Sequence, residues 1–309
     1  MGNIFSTIFE RHKRKIPTNR CNNSRLNNSN ENVRQIHNNS PYILPNDEKE
    51  GDRLIMQHFI TRSVFKSNFC APVNDILQRP GAKVLDVGCG PGTWLHDMAS
   101  DFPNARFIGV DISPMFPKLI KPRNVEYLQA NFLKGLPFCN DTFDFVVIRN
   151  MISVLTIEDW KTVLQELTRV CKPMGYVEST EFGIPVLNEG PMSSEICKAW
   201  INIMKSKNID LSFSVQLPKL YSTFLKKVGS ISQCVTIGLR GDQVSKDMAE
   251  DLLMLAEALQ PALHFTDREF EEHIEKLRKE LEEYEVFCDI QVVWGLKTYS
   301  STNNSEEPS

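Results

Sequence analysis

Between residues 83 and 180 short apolar or β-branched runs alternate with stretches of helical periodicity, and this alternation limits the fold more than any other feature. The runs cover 83–87, 106–110, 125–128, 143–148 and 175–180. A strand that must pair with a parallel neighbour needs a crossover, usually a helix. The pattern therefore predicts an α/β domain: a doubly wound, mostly parallel sheet with helices on both faces. The helical stretch 156–171 opens with Thr156 and Asp159 at N-capping spacing and puts Trp160, Val163, Leu164, Leu167 and Cys171 on one face.

The later half continues the pattern. Helices are expected near 193–205, 217–227, 247–259 and 267–283, and strands near 232–239 and 286–297, which brings the sheet to seven strands. In 267–283, Phe270, Ile274, Leu277 and Leu281 form a stripe suited to packing on a sheet. Glu272 with Lys276, and Glu275 with Lys279, stand at i, i+4 ion-pair spacing. Ahead of the sheet, a turn at Pro45 and Asn46 leads into a helix with Leu54, Ile55, His58, Phe59 and Arg62 at helical spacing. The expected organisation is a tail over 1–41, a domain over 42–299 and a second tail over 300–309. Within the domain, 42–80 is a helical lead-in, 81–182 the ligand-binding half, and 183–299 the remaining elements.

No apolar run approaches the roughly 20 residues a membrane-spanning helix needs. The cysteines, at 21, 70, 89, 139, 171, 197, 234 and 288, show no C-x-x-C pair and no zinc-type spacing, and read as reduced thiols of a cytosolic or nuclear protein. Residues 1–41 hold seven Lys/Arg against two Asp/Glu, +5, so the overall −4 leaves −9 on the rest. An acidic body argues against nucleic acid as a partner. The Asn/Ser-rich stretch 15–40 has too few apolar side chains to offset the entropy of ordering and is expected to be disordered. With no secretory apolar segment, the Asn-x-Ser triplets at Asn22, Asn27 and Asn38 are expected to stay unglycosylated. MGNIFS fits a myristoylation signal with Gly2 as acceptor and Ser6 in place. Arg11, Lys13, Arg14, Lys15 and Arg20 would add attraction to an anionic membrane surface, and the same stretch also suits a weak mitochondrial presequence.

The stretch VLDVGCGPGTWLHDMAS places Gly88, Gly90 and Gly92 between a strand and a helix. Such a turn lets a ligand approach the backbone, and the helix N-terminus favours an anionic end. A phosphate loop needs Lys-Ser or Lys-Thr after its glycines, which is missing. A dinucleotide fingerprint needs a third glycine where Thr93 stands.

The G-x-G-x-G spacing after Asp86, in LDVGCGPG, resembles motif I of class I S-adenosylmethionine-dependent methyltransferases. RFIGVDIS resembles their second strand with its terminal acid, VEYLQANFLKGLPFCNDTFDFVVIRN their third and fourth strands, and LTRVCKPMGYVEST the helix, turn and fifth strand that follow. The resemblance covers 84–180 and implies S-adenosylmethionine as cofactor. It places Asp86, Gly88, Cys89, Gly90 and Gly92 at the amino-acid end and Asp111, with Ile112 beside it, at the ribose hydroxyls. Asn131 and Phe132 fall at the adenine, and Arg149 at the end of the fourth strand. Asn131 replaces a frequent Asp and can still accept from the exocyclic amine. Met174 replaces the first glycine of the Lys-Pro-Gly-Gly turn.

The lead-in YILPNDEKEGDRLIMQHF resembles that of a fungal group of these enzymes which includes the velvet-complex methyltransferase-like regulator of secondary metabolism. There it is expected to lie over the cofactor, which makes Tyr42, Arg53 and Gln57 candidate lid contacts. Candidate general bases are His58, Glu178 and Glu181, none of them marked by a motif. The fourth strand ends in IRNM without Asn-Pro-Pro-Tyr, which disfavours amino-methylation of adenine or glutamine, and no acidic cluster has metal-ligand spacing. The expected function is methyl transfer to an unidentified small-molecule or protein acceptor, the small molecule being favoured. The alternative is a regulator or scaffold with weak or no activity.

Overall fold

The computed structural model describes residues 44–299 apart from 46, 118, 184–186, 264 and 285. Gly2, Ser6, both expected tails, Tyr42 and Asn46 lie outside the described residues.

Seven strands form one sheet: β1 (Lys83–Val87), β2 (Arg106–Asp111), β3 (Val125–Gln129), β4 (Phe143–Arg149), β5 (Cys171–Phe182), β6 (Lys226–Ile237) and β7 (Val286–Leu296). Their order is β3-β2-β1-β4-β5-β7-β6, with β7 antiparallel to both neighbours and the rest parallel. The central strands read as unbroken apolar runs because both sheet faces are covered. Phe145 and Val147 of β4 join Val84 in one core; Val146 and Ile148 join Leu85 and Val87 in the other. This is the period-2 alternation of a strand.

The helices are α1 (Glu48–Phe65), α2 (Asn74–Leu77), α3 (Thr93–Asp101), α4 (Ile157–Val170), α5 (Pro191–Ser206), α6 (Leu217–Phe224), α7 (Gln243–Leu263) and α8 (Asp267–Glu283). The cap at Thr156 and Asp159 forms as a capping box, and Trp160, Val163, Leu164 and Leu167 of α4 are buried. The chain runs from β1 through β2 to β3 on one side, then crosses back from β3 to β4 on the other side of β1. These connections open a crevice at the carboxyl ends of the strands, the usual ligand site of such sheets. The loop carrying Gly88 and Gly90 lies there.

Several boundaries differ from those the sequence predicts. The helix expected over 217–227 stops at Phe224, because Leu225 is extended (φ −125°, ψ 163°) and Lys226 already pairs with Leu296. Strand β6 therefore starts well before 232: pairing with β7 overrides the helix propensity of two lysines. Helix α7 is longer than expected at both ends, and β5 likewise. On α8, Glu272 meets Arg268 at 3.1 Å where the spacing predicts Lys276.

Helix α1 differs more deeply. Of the residues expected at helical spacing, Leu54, Ile55, Phe59 and Arg62 are half-buried and only His58 is buried, together with Glu50, Arg53, Gln57, Met56 and Ile60. These polar groups are inside because they satisfy one another. Arg53 donates to both oxygens of Glu50 (2.7 and 2.9 Å) and to Asp251 of α7 (3.2 Å). Gln57 donates to Asp251 (3.2 Å) and accepts from Asn150, just beyond β4 (3.2 Å).

A second buried acid joins α5 to α8. Glu280 accepts the Met192 N–H (2.6 Å), the Ser193 N–H (2.8 Å) and the Ser193 hydroxyl (2.6 Å) at the start of α5. Glu280→Ala leaves the Met192 and Ser193 amides without this acceptor and the Ser193 hydroxyl with only the Gly190 carbonyl at 3.3 Å. It should cost about 2–4 kcal/mol of unfolding free energy in urea, and Glu280→Gln clearly less.

Candidate functional site

The glycines of the loop serve different ends. At Gly92 (φ 76°) a Cβ would lie 2.1 Å from the Tyr127 hydroxyl, so this glycine lets β3 pack against the start of α3. At Gly88 (φ 71°) a Cβ would lie 2.5 Å from Cε of Met151, so this one keeps open the passage beside the end of β4. Asp111, at the carboxyl end of β2, accepts the Gly90 N–H on one oxygen and the Ser113 N–H on the other, both at 2.8 Å. One carboxylate thus holds the two loops that flank the crevice.

A single cavity runs from these loops to side chains of α5, α7 and the strands β5, β6 and β7. Gly88, Cys89, Gly90, Asp111, Ile112, Asn131, Phe132 and Arg149 line it, as do Arg53, Gln57 and His58 of α1. Its other end is apolar, walled by Phe182, Trp200, Ile237, Leu252 and Leu255 among others. Asn131 caps the short 3-10 helix Phe132–Lys134, its Oδ1 accepting the Leu133 N–H at 3.0 Å.

Two of the residues the resemblance places at the cofactor lie behind this wall. Gly92 meets Tyr127 instead, and Asp86 is fully buried beneath the loop. Neither Asp86 oxygen has a hydrogen-bond partner, and Arg149 stands 3.8 Å away. Burial pushes this acid up to about 6, while the Arg149 charge pulls the other way.

The three candidate bases fare differently. Glu178 accepts the N–H groups of Cys70 (2.9 Å) and Ala71 (2.5 Å), which ties the segment after α1 to β5. Burial pushes it up to about 7. Glu181 accepts the Ile152 N–H at 2.8 Å, and its other oxygen is buried without a partner. Burial pushes it up to about 8, so it is mostly protonated near neutral pH. Neither lines the cavity. His58 does, but both ring nitrogens are engaged: Nε2 with Asp97 at 2.8 Å and Nδ1 with Arg149 at 3.5 Å. Burial lowers its pKa, against the pull of Asp97. A neutral ring with an acid at Nε2 carries its proton there, leaving Nδ1 as acceptor.

Sequence reading passed over Asp251, Asn150, Met151 and Trp94. Asp251 could have been noticed as an acid set among Met248, Leu252 and Leu255 on the inner side of α7. The other three carry no signal without the fold. Among the described residues no group of three or more His, Cys, Asp or Glu could hold a metal ion, and no helix is long and apolar enough to cross a membrane.

The sheet order, the glycine loop at the reversal point and the acid closing β2 are those of class I S-adenosylmethionine-dependent methyltransferase domains, and the sequence match falls on the same segment. Residues 84–175 match the family described as a methyltransferase domain, and the chain is related to LaeA-like fungal proteins of this class. It is 34% identical over 144 residues to the N-methyltransferase verN of Clonostachys rogersoniana, covering 45% of this chain and 50% of that one. It is 27% identical over 173 residues to the secondary metabolism regulator laeA of Aspergillus flavus, covering 55% and 45%. The aligned part is thus half or less of the length of these curated relatives. Among solved structures, the YcgJ protein of Bacillus subtilis aligns at a TM-score of 0.46 and 20% identity, covering 80% of this chain and 99% of that one.

The raised acids carry a pH signature. Folded Glu181 keeps its proton to about pH 8, whereas the unfolded chain releases it near its ordinary value of 4.5. The folded state therefore binds more protons between these limits, and stability falls as pH rises through them. Glu181→Gln cannot ionise, so its unfolding free energy, measured in urea from about pH 5 to about pH 8, should fall less steeply than that of the unaltered chain.

Proposed function

We propose that the chain transfers a methyl group from S-adenosylmethionine to a small, largely apolar acceptor. One observation carries this reading: a single cavity joins a ligand-ready polar end to an apolar end walled by α5, α7 and the last strands. The residues present fit the cofactor. Asp111 offers carboxylate lone pairs where ribose hydroxyls are expected, and Ile112 with Phe132 can enclose a flat base. The buried oxygens of Asp86, which accept no hydrogen bond and have Arg149 at 3.8 Å, put negative charge under the site of a cationic amino-acid end.

Bound S-adenosylmethionine supplies a methyl group already activated on a sulfonium. The protein's share is then to orient donor and acceptor and to exclude water, which can contribute on the order of 7–11 kcal/mol. Helix α1 covers the cavity for this purpose, held by Arg53 and Gln57 through Asp251. With Glu178 and Glu181 tied to backbone amides outside the cavity, catalysis rests on alignment more than on a base from this set. The apolar end favours a small molecule over a protein side chain or a nucleic acid. A cytoplasmic setting, with Gly2 and the basic tail touching a membrane surface, completes this reading.

A second reading is a regulator with weak or no turnover. The similarity to laeA and the absence of a base among Glu178 and Glu181 favour it. Formation of S-adenosylhomocysteine in the presence of candidate acceptors would separate the two.

The cofactor reading is tested by calorimetry. Asp111→Ala should weaken S-adenosylhomocysteine binding by about 2–3 kcal/mol, partly through release of the Gly90 and Ser113 loops, with Asp111→Asn in between. NAD should not bind. Unchanged affinity in Asp111→Ala would refute the placement of the ribose.

A further inference from the structure

Arg149 closes β4 on the cavity wall, and its bonding there is incomplete. Its Nη1 donates to His58 Nδ1 across a long 3.5 Å, and its Nη2 stands 3.8 Å from Asp86, beyond hydrogen-bond range. Its Nε is buried without an acceptor. The side chain is 14% exposed, and the guanidinium lies over the Trp94 ring, 5.4 Å from its centre. A guanidinium presents five donors in a planar fork that matches a carboxylate. Asp86 supplies an opposite charge but no hydrogen bond, and burying a guanidinium with so few acceptors is costly unless a further anion completes its bonding.

Strand order says which anion. In β3-β2-β1-β4 the glycine loop follows β1, and Asp111 and Asn131 stand at the ends of β2 and β3 to one side. Arg149 stands at the end of β4, on the other side. A cofactor with its ribose at Asp111 and its base near Asn131 would run across the loop, bringing its amino-acid end toward β4. The imidazole of His58, neutral and with its Nε2 hydrogen committed to Asp97, turns a lone pair to Arg149. Arg62 also holds Asp97, at 2.7 Å, so the whole chain of contacts is anchored on α1.

We propose that Arg149 is the seat of the cofactor's α-carboxylate, and that His58, fixed by Asp97, is the positioning residue that aims Arg149 at it. This assignment rests on the cofactor reading above and assigns Arg149 to the donor, not to an anionic acceptor. It also makes α1 part of the cofactor site through His58, beyond its part in covering the cavity.

The test is calorimetry of the full chain with S-adenosylhomocysteine and with 5′-methylthioadenosine, which keeps the adenosine and sulfur but lacks the amino acid. The unaltered chain should prefer S-adenosylhomocysteine. Arg149→Met should lose roughly ten- to a hundredfold in affinity for it, with methylthioadenosine unaffected. Arg149→Lys should restore part of the preference, and His58→Gln should lower it by a smaller factor, again without touching methylthioadenosine. That selectivity would not move if either residue merely shaped the wall. Should Arg149→Met fail to fold, Arg149→Lys and His58→Gln carry the comparison. Equal losses on both ligands, or no loss on either, overturn the assignment. An unaltered chain that binds both equally overturns it while leaving the cofactor reading in place, and one that binds neither removes both.

Discussion

The parallel pairing of β1 with β2 on one side and β4 on the other is the constraint from which the site follows. Because the connection after β1 goes to β2 while β3 crosses back to β4, the crossovers diverge from β1 and leave the carboxyl ends of these strands uncovered. Asp111, Asn131 and Arg149, distant in sequence, meet there around the glycine loop. The Asp111 carboxylate then fixes the loop to β2 through two backbone amides, so the protein's own bonds set the ligand-facing backbone. Such preorganisation lowers the cost of binding.

Above that crevice lies a helix that buries its polar side. Helix α1 inserts Glu50, Arg53, Gln57 and His58 into the interior, where each finds partners on α7, beyond β4, on α3 or within α1 itself. A network of this kind contributes less stability than an apolar seam of equal size but specifies one position for the helix. For a cover over a reaction site, position matters more. The same network joins the apolar end of the cavity to the polar end, since Gln57 reaches both Asp251 and Asn150.

The buried acids divide by what faces them. Asp111 accepts two backbone amides at the cavity surface, whereas Asp86, Glu178 and Glu181 are enclosed and pushed upward by burial. Of these, Glu178 and Glu181 anchor backbone N–H groups, Glu178 those of residues 70 and 71 and Glu181 that of residue 152, whereas Asp86 accepts no hydrogen bond. They shape the passage past the end of β4 without entering it.

Much of this was legible beforehand. The strand runs, the capping box at Thr156, the glycine spacing and the acid at Asp111 are local signals, because each follows from the periodicity or conformational freedom of neighbouring residues. Local signals misplaced the start of β6, where two lysines favour a helix but pairing with β7 decides. They also misjudged α1, whose inward face is set by Asp251 and Asn150, each more than 90 positions away by the spans of its bonds. Likewise Gly92, legible as part of a binding loop, exists to clear Tyr127. By itself the sequence determined the α/β architecture, the glycine loop and the acid that holds it, since those depend on short-range chemistry. Only the tertiary structure decided which polar groups are buried, which acids reach the cavity and where Arg149 stands, because burial and pairing are properties of residues that meet only after the sheet has formed.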